Sequence, residues 1–212
     1  MDKKKISSLA KSKATPIGRD IAALIGIFFG ALLLVSVFTY DHQDPSLFSQ
    51  TKRIPINYAG RIGANLSEIF LQVFGMAAFV LPPFIVLFSL ELVRRKKNAP
   101  RLIQTAFWQI TALLSLTTLL GLLFGPIFYG GASLAPGGWL GQQLAGISSH
   151  YLNRFGAVLI LMAALLVAVV FSTPVTTTQL LRGVGLFAGV VWTGFATAGK
   201  YLKKYAGESL AH

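Results

Sequence analysis

An all-α integral membrane protein is the fold class this sequence predicts: four transmembrane helices as two helical hairpins, with amphipathic outer-surface helices and both termini cytoplasmic. Three observations predict it. Long runs without Asp, Glu, Lys or Arg recur along the 212 residues. Charged residues make up 12% of the chain against 54% hydrophobic, with a mean hydropathy of +0.65, whereas an ordinary soluble domain carries about 25% charged residues. The Lys and Arg crowd into alternate gaps between the runs.

The first run, Ile21 to Tyr40, has 20 residues, and at about 1.5 Å rise per residue it reaches about 30 Å, the depth of a bilayer's hydrocarbon core. Its apolar stretch exceeds the roughly 7 to 15 residues of a cleaved signal peptide and lacks a small-x-small exit, so it reads as an uncleaved anchor. Residues 69–90 and 102–124 form the second and third spans. Pro82-Pro83 removes two backbone donors and is expected to kink the second. The fourth, about 155–173, starts after Arg154, whose head can reach the interface, and Pro174 marks where helix becomes hard to continue.

A fifth uncharged segment, Gly183 to Gly199, is decided by charge. With four spans, fifteen of the 19 Lys and Arg fall in the N-terminal tail, the middle connection and the C-terminal segment, and four (Lys52, Arg53, Arg61, Arg154) fall in the other two connections. A fifth crossing would reduce that split to twelve against seven. The positive-inside rule therefore favours four spans, with 183–199 on the inner interface. The domain expectation is a basic cytoplasmic tail over 1–20, a four-span domain over 21–175, and an interfacial segment leading into a linker over 176–212. The net charge of +12 lies mostly where anionic inner-leaflet lipids would meet it, so lipid and topology are favoured as its explanation, with a polyanionic partner as the alternative. The absence of Cys excludes thiolate metal sites, disulfides and thiol catalysis.

Both outer connections, 41–68 and 129–154, are built alike. Leu140, Leu144, Ile147 and Tyr151 step by helical intervals, as do Ile62, Leu66, Ile69 and Val73, predicting amphipathic helices. Gly60 to Leu66 and Gly138 to Leu144 both read G-x-[I/L]-G-x-x-L, and Phe-Gly pairs follow at Phe74-Gly75 and Phe155-Gly156. These letters suggest two repeated hairpins, with coincidence among 21 Gly as the competitor. Gly26 and Gly30, Gly121 and Gly125, and Gly185 and Gly189 are small-residue pairs suited to close helix packing, within the bundle or between subunits. Gln109, Thr111, Ser115, Thr117 and Thr118 add hydrogen-bonding groups to the third span. No span carries an ionisable residue at its middle, which argues against a coupled transporter.

Two near-motifs carry little. Gly194 to Tyr201 matches a phosphate loop until its last position, where Tyr201 replaces the Ser or Thr that holds magnesium. His42, Asp44 and His150 lie on one expected side, but their spacing is not that of a zinc site, and Asp44-Pro45 reads as the start of a turn. No catalytic, cofactor-binding or metal residue is expected.

Tyr40-Asp41 with Asp44-Pro45-Ser46, then Asn57 through Ala64, then Phe74-Gly75 with Ala77-Ala78 and Leu81-Pro82, then Gly137 through Gly141, resemble in order and spacing the four-span N-terminal membrane domain of FtsK/SpoIIIE-type DNA translocases. The similarity runs from about Ile21 to about Thr173. It departs at Leu47-Phe48, where the family often has Trp, and at Thr173-Pro174-Val175, where it usually has Gly-x-Ser-Trp. The resemblance implies an anchor that targets the division septum, self-associates as a hexamer and contacts other divisome membrane proteins. The ATP and Mg chemistry and the contact with DNA would then belong to a separate motor domain. The resembling outer-loop residues Asp44, Pro45, Asn57, Gly60, Gly63, Gly138 and Gly141 become interaction candidates. A small permease or channel is the alternative, followed by a membrane enzyme using His42, His150 and Asp44.

Overall fold

A computed structural model describes residues 17–49, 51–94 and 99–172. Its elements are α1 (Ile17–Phe38), α2 (Gly60–Phe74), a 3-10 segment (Gly75–Val80), α3 (Leu81–Arg94), α4 (Ala99–Leu123), strands β1 (Ile127–Tyr129) and β2 (Ala132–Leu134), and α5 (Gly138–Ser172). Residues 1–16 of the basic tail, the 183–199 segment with Gly185 and Gly189, the stretch 194–201 and the linker lie outside the described residues, while 17–20, expected as part of the tail, already belong to α1.

Among the described residues, four helical stretches are long and apolar enough to cross a membrane: Gly18–Phe38, Gly60–Arg94, Pro100–Leu123 and Gly138–Ser172. In each, less than half of the most apolar window is buried. Side chains such as Phe28, Phe107 and Leu159 point away from the protein, as expected where hydrocarbon rather than water is the solvent. Packing is chiefly pairwise, α1 on α3 and α4 on α5.

The second span differs from expectation in where it breaks. Gly75 adopts φ 60°, ψ −140° and opens the 3-10 turn, so the bend comes ahead of the prolines. Pro82 and Pro83 sit in the first turn of α3, where backbone N–H groups have no intrahelical partner and proline is accommodated. The first half of this span, α2, is the amphipathic helix expected over the outer connection.

The fourth span has a matching break. Asn153, at φ 56° and ψ 159°, interrupts α5 and divides it into an outer helix from Gly138 and a spanning helix that follows. The face that outer helix lays on the bundle is not the apolar stripe. Gly138, Gly141 and Ala145 are buried, while Ile147 and Tyr151 are exposed. The contact is backbone against backbone, and only small residues permit it.

Among the described residues, one short hairpin departs from the all-α expectation. β1 and β2 pair antiparallel with Tyr129 opposite Ala132, joined by Gly130 and Gly131 at φ 57° and 80°. Two successive positive φ angles form the two-residue turn that fits strand twist, and Gly-Gly supplies them at no steric cost.

Candidate functional site

The most elaborately built part of the molecule is the end where the connections 39–59 and 124–137 meet. In the first connection, Asp44 is buried, and its two carboxylate oxygens accept the backbone N–H groups of Ile56 (2.7 Å) and Asn57 (2.8 Å). Asn57, also buried, donates from Nδ2 to the carbonyls of Ser36 (2.8 Å) and Thr39 (3.2 Å) and accepts Ala59 N–H at 3.0 Å. Together they close the return of the chain onto the last turn of α1, whose carbonyls have no helical partner. Pro45 is half-buried beside Asp44. Gly60, at φ 63°, starts α2, and Gly63 lies against Asn57, Ala59 and Ser36, leaving no room for a Cβ.

The second connection uses absent side chains instead. Gly137 and Gly141 press on the Thr117 carbonyl of α4, and Gly138, at φ 61°, presses on the backbone of Val73 and Gly75. Thr117 is fully buried, and its hydroxyl lies between the carbonyls of Phe74 (3.1 Å) and Gly137, donating to either. One side chain therefore ties α4 both to the end of α2 and to the start of α5.

The second connection is also tied to the first half of the chain. Tyr129 Oη donates to the Val37 carbonyl at 2.9 Å, Gly130 accepts His42 N–H at 2.8 Å, and Pro136 accepts Met76 N–H at 2.8 Å. Phe38, Phe79, Tyr129 and Tyr40 form a continuous aromatic run with ring centroids 5.1, 5.5 and 6.0 Å apart. Burial, followed by the nearness of Glu68, holds the Tyr40 phenol above its ordinary pKa. Burial alone raises Tyr129. The Tyr40 hydroxyl is directed at the Glu68 carboxylate but closes no hydrogen bond of standard geometry. Glu68 is 2% exposed and accepts Gln72 Nε2–H at 2.6 Å. A recess of about 350 Å³ opens here, lined among others by Tyr40, His42, Glu68, Gln72, Trp139 and Gln142.

The expected small-residue pairs separate. Gly26 and Gly30 lie on α3, against Ser89 and Val86, and Gly121 lies on the Gly141 carbonyl, which a Cβ would approach to 3.0 Å. Gly125 has nothing within 4 Å of a Cβ. Of the span-three polar residues, Gln109 bonds across to the Phe84 carbonyl at 3.2 Å, while Thr111 and Thr118 bond back to their own helix. Both oxygens of Asp44 are engaged by backbone, and no group of three His, Asp or Glu side chains among the described residues is placed to hold a metal ion. The reading by sequence missed Glu68, which marked only a loop boundary, and Asn153. A carboxylate at the helical interval from Gln72 was the available signal for the first. None pointed to the second.

Four spans joined at one end by buried groups that bond backbone rather than substrate define a membrane domain built to hold its own loops. The chain belongs to the family described as the 4TM region of the DNA translocase FtsK/SpoIIIE, whose model matches residues 16–185. It is 29% identical over 178 residues to the DNA translocase FtsK of Vibrio parahaemolyticus, covering 75% of this chain and 16% of the relative. It is 30% identical over 160 residues to that of Pseudomonas aeruginosa, covering 66% and 18%. Over 81 residues it is 37% identical to that of Rhizobium meliloti, covering 37% and 9%. The chain spans less than a fifth of the length of these curated relatives. No solved structure matches. The chain is a multi-pass inner-membrane domain of that family and not its motor domain.

Proposed function

We propose that this domain anchors a DNA translocase in the inner membrane at the division septum, self-associates there, and presents its loop end to other divisome membrane proteins. Both termini lie on the cytoplasmic side, where the basic tail and the middle connection meet anionic lipids, as the split of cations favours. ATP, Mg and DNA are handled by the remainder of such a translocase. One observation carries the reading of the loop end as a contact surface: the connection clasped by Asp44 and Asn57 exposes Leu47 (73%), Phe48 (61%), Ile54 (85%) and Tyr58 (83%). A connection fixed by buried hydrogen bonds that still turns large apolar side chains outward is suited to binding a partner.

Two measurements test the proposal. The chain lacks Cys, so single substitutions report sidedness: Gln143→Cys is expected to react with an impermeant maleimide in intact cells, and Ser8→Cys and Lys97→Cys are expected not to. Labelling of Ser8→Cys from outside overturns the topology. A fluorescent fusion is expected at the septum. Uniform membrane labelling, together with solute flux through reconstituted protein, would instead favour a permease.

A further inference from the structure

We propose that the recess between the end of α4 and the bend of α5 binds the phosphate of a membrane phospholipid, with Arg154 as its cation. The recess has a volume of about 560 Å³ and is lined among others by Gly121, Leu122, Gly125, Gln142, Ser149 and Arg154. None of its lining residues is acidic. Arg154 Nη2 donates to the Leu122 carbonyl at 2.6 Å, which pins the guanidinium across the hairpin. A guanidinium carries five N–H donors in a planar fork, so most of its donor edge remains for an anion. Phosphate is the anion whose geometry that fork matches, and the pairing is charge-assisted.

Position selects a lipid as the carrier of that phosphate. Arg154 stands where the outer helix of α5 gives way to its uncharged spanning part, and a long cationic side chain at the end of a span reaches the headgroup level. Phe124 (55% exposed) flanks it just past the end of α4, and Phe155 (80%) and Leu159 (58%) flank it on α5, offering acyl chains an apolar track below the charge. Gly125, with no neighbour within 4 Å of a Cβ, leaves the mouth of the recess open. The bend itself is held at a cost. Asn153 occupies a φ/ψ region that is essentially glycine's alone, while the matching bend of the first half uses Gly75. Asn153 Oδ1 also accepts the Arg154 N–H at 2.6 Å, so the strained residue and the cation are fixed as one unit. The inference rests on the family's membrane placement and not on septal targeting or self-association.

Native mass spectrometry of the purified 212-residue chain, released from detergent micelles supplemented with phosphatidylglycerol, tests it. Wild-type protein is expected to retain one lipid that Arg154→Gln loses by about tenfold, the step that roughly 1.4 kcal/mol of lost pairing produces. Arg154→Lys, which keeps the charge without the fork, is expected to fall between them. Arg61→Gln removes another exposed cation of the loop end and is expected to retain the lipid. Unchanged helical circular dichroism in each variant separates lost binding from lost fold. Equal retention by Arg154→Gln, equal loss in Arg61→Gln, or displacement of the lipid by inorganic phosphate overturns the proposal. None of these outcomes bears on where a fluorescent fusion localises.

Discussion

The two halves of the loop end perform one task by opposite means. In each, the chain leaves a span, turns, and lays an interfacial helix back on the span it left. Both interfacial helices start with a positive-φ glycine, Gly60 or Gly138. Three residues on, each has a glycine with no room for a Cβ, Gly63 or Gly141. Both break at a positive-φ residue fifteen positions after the start, Gly75 or Asn153. The first connection, from Phe38 to Gly60, is long, and buried carboxylate and amide groups hold its backbone. The second, from Leu123 to Gly138, is shorter, and close approach of backbones holds it. Hydrogen-bonding side chains can span a gap between chain segments, whereas omission of side chains works only where the segments already touch.

Removing the defining device of each half tests that contrast, and the first half has the larger expected effect. Asp44→Ala strands one buried and one partly buried N–H group that now bond a charge, a loss of about 3 kcal/mol. It is expected to lower the unfolding temperature of the detergent-purified chain more than any other change considered, with Asp44→Asn, which keeps one acceptor oxygen, about halfway. An Asp44→Ala protein that unfolds with the wild type would mean the first connection is not clasped. In the second half, Gly141→Ala forces a methyl onto the Thr117 carbonyl, and overpacking of this kind costs about 2 kcal/mol. Gly125→Ala, a glycine of the same neighbourhood with open space around it, is the matched control and is expected to change nothing measurable.

This contrast also separates what the sequence made legible from what it did not. The four spans were readable because a run of twenty uncharged residues is a local property that bilayer thickness alone interprets. The repeated G-x-[I/L]-G-x-x-L letters were readable as similarity, and the structure gives them a shared role at the start of each interfacial helix. The Phe-Gly pairs misaligned the repeat by three residues, because the structural partner of Gly75 is Asn153 and not Gly156. Pro82-Pro83 was the strongest break signal in the second span, yet proline disrupts only where an N–H is needed, and a first-turn position needs none. The hairpin was not among the expectations, although Gly130-Gly131 supplies its turn chemistry. Asp44 and Asn57 could be singled out by resemblance, but their partners lie 12 to 21 residues away in sequence, and no periodicity encodes that pairing.

Alkaline pH probes the tie between the halves and has a smaller effect. Tyr40 and Tyr129 both have phenol pKa values raised in the folded chain. A group whose folded pKa exceeds its unfolded one contributes stability that is complete below the unfolded value, about 10 for a phenol, and is lost as pH rises through the folded value. The unfolding temperature is therefore expected to fall as pH rises beyond about 10. Tyr40→Phe is expected to flatten that fall more than Tyr129→Phe, because Glu68, followed by Asp41, adds its charge to burial at Tyr40 and not at Tyr129. Equal slopes in the two variants would remove Glu68 from the account.

The smallest expected effect has the opposite sign and compares the two bends directly. If Gly75 and Asn153 are equivalent, glycine should suit the second bend as it does the first. Strain at Asn153 costs about 1 to 3 kcal/mol. Asn153→Gly relieves it but forfeits the hydrogen bond from the Arg154 N–H, worth about 1 kcal/mol. The net expectation is a stabilisation of about 1 kcal/mol or less, read as a small rise in unfolding temperature. The converse change, Gly75→Asn, meets both the positive φ and the carbonyls of Ala135 and Pro136, so it is expected to destabilise well beyond that amount. Were Asn153→Gly to destabilise instead, the Asn153 side chain would hold the second bend through more than its own backbone. The two halves would then share a shape without sharing its cause.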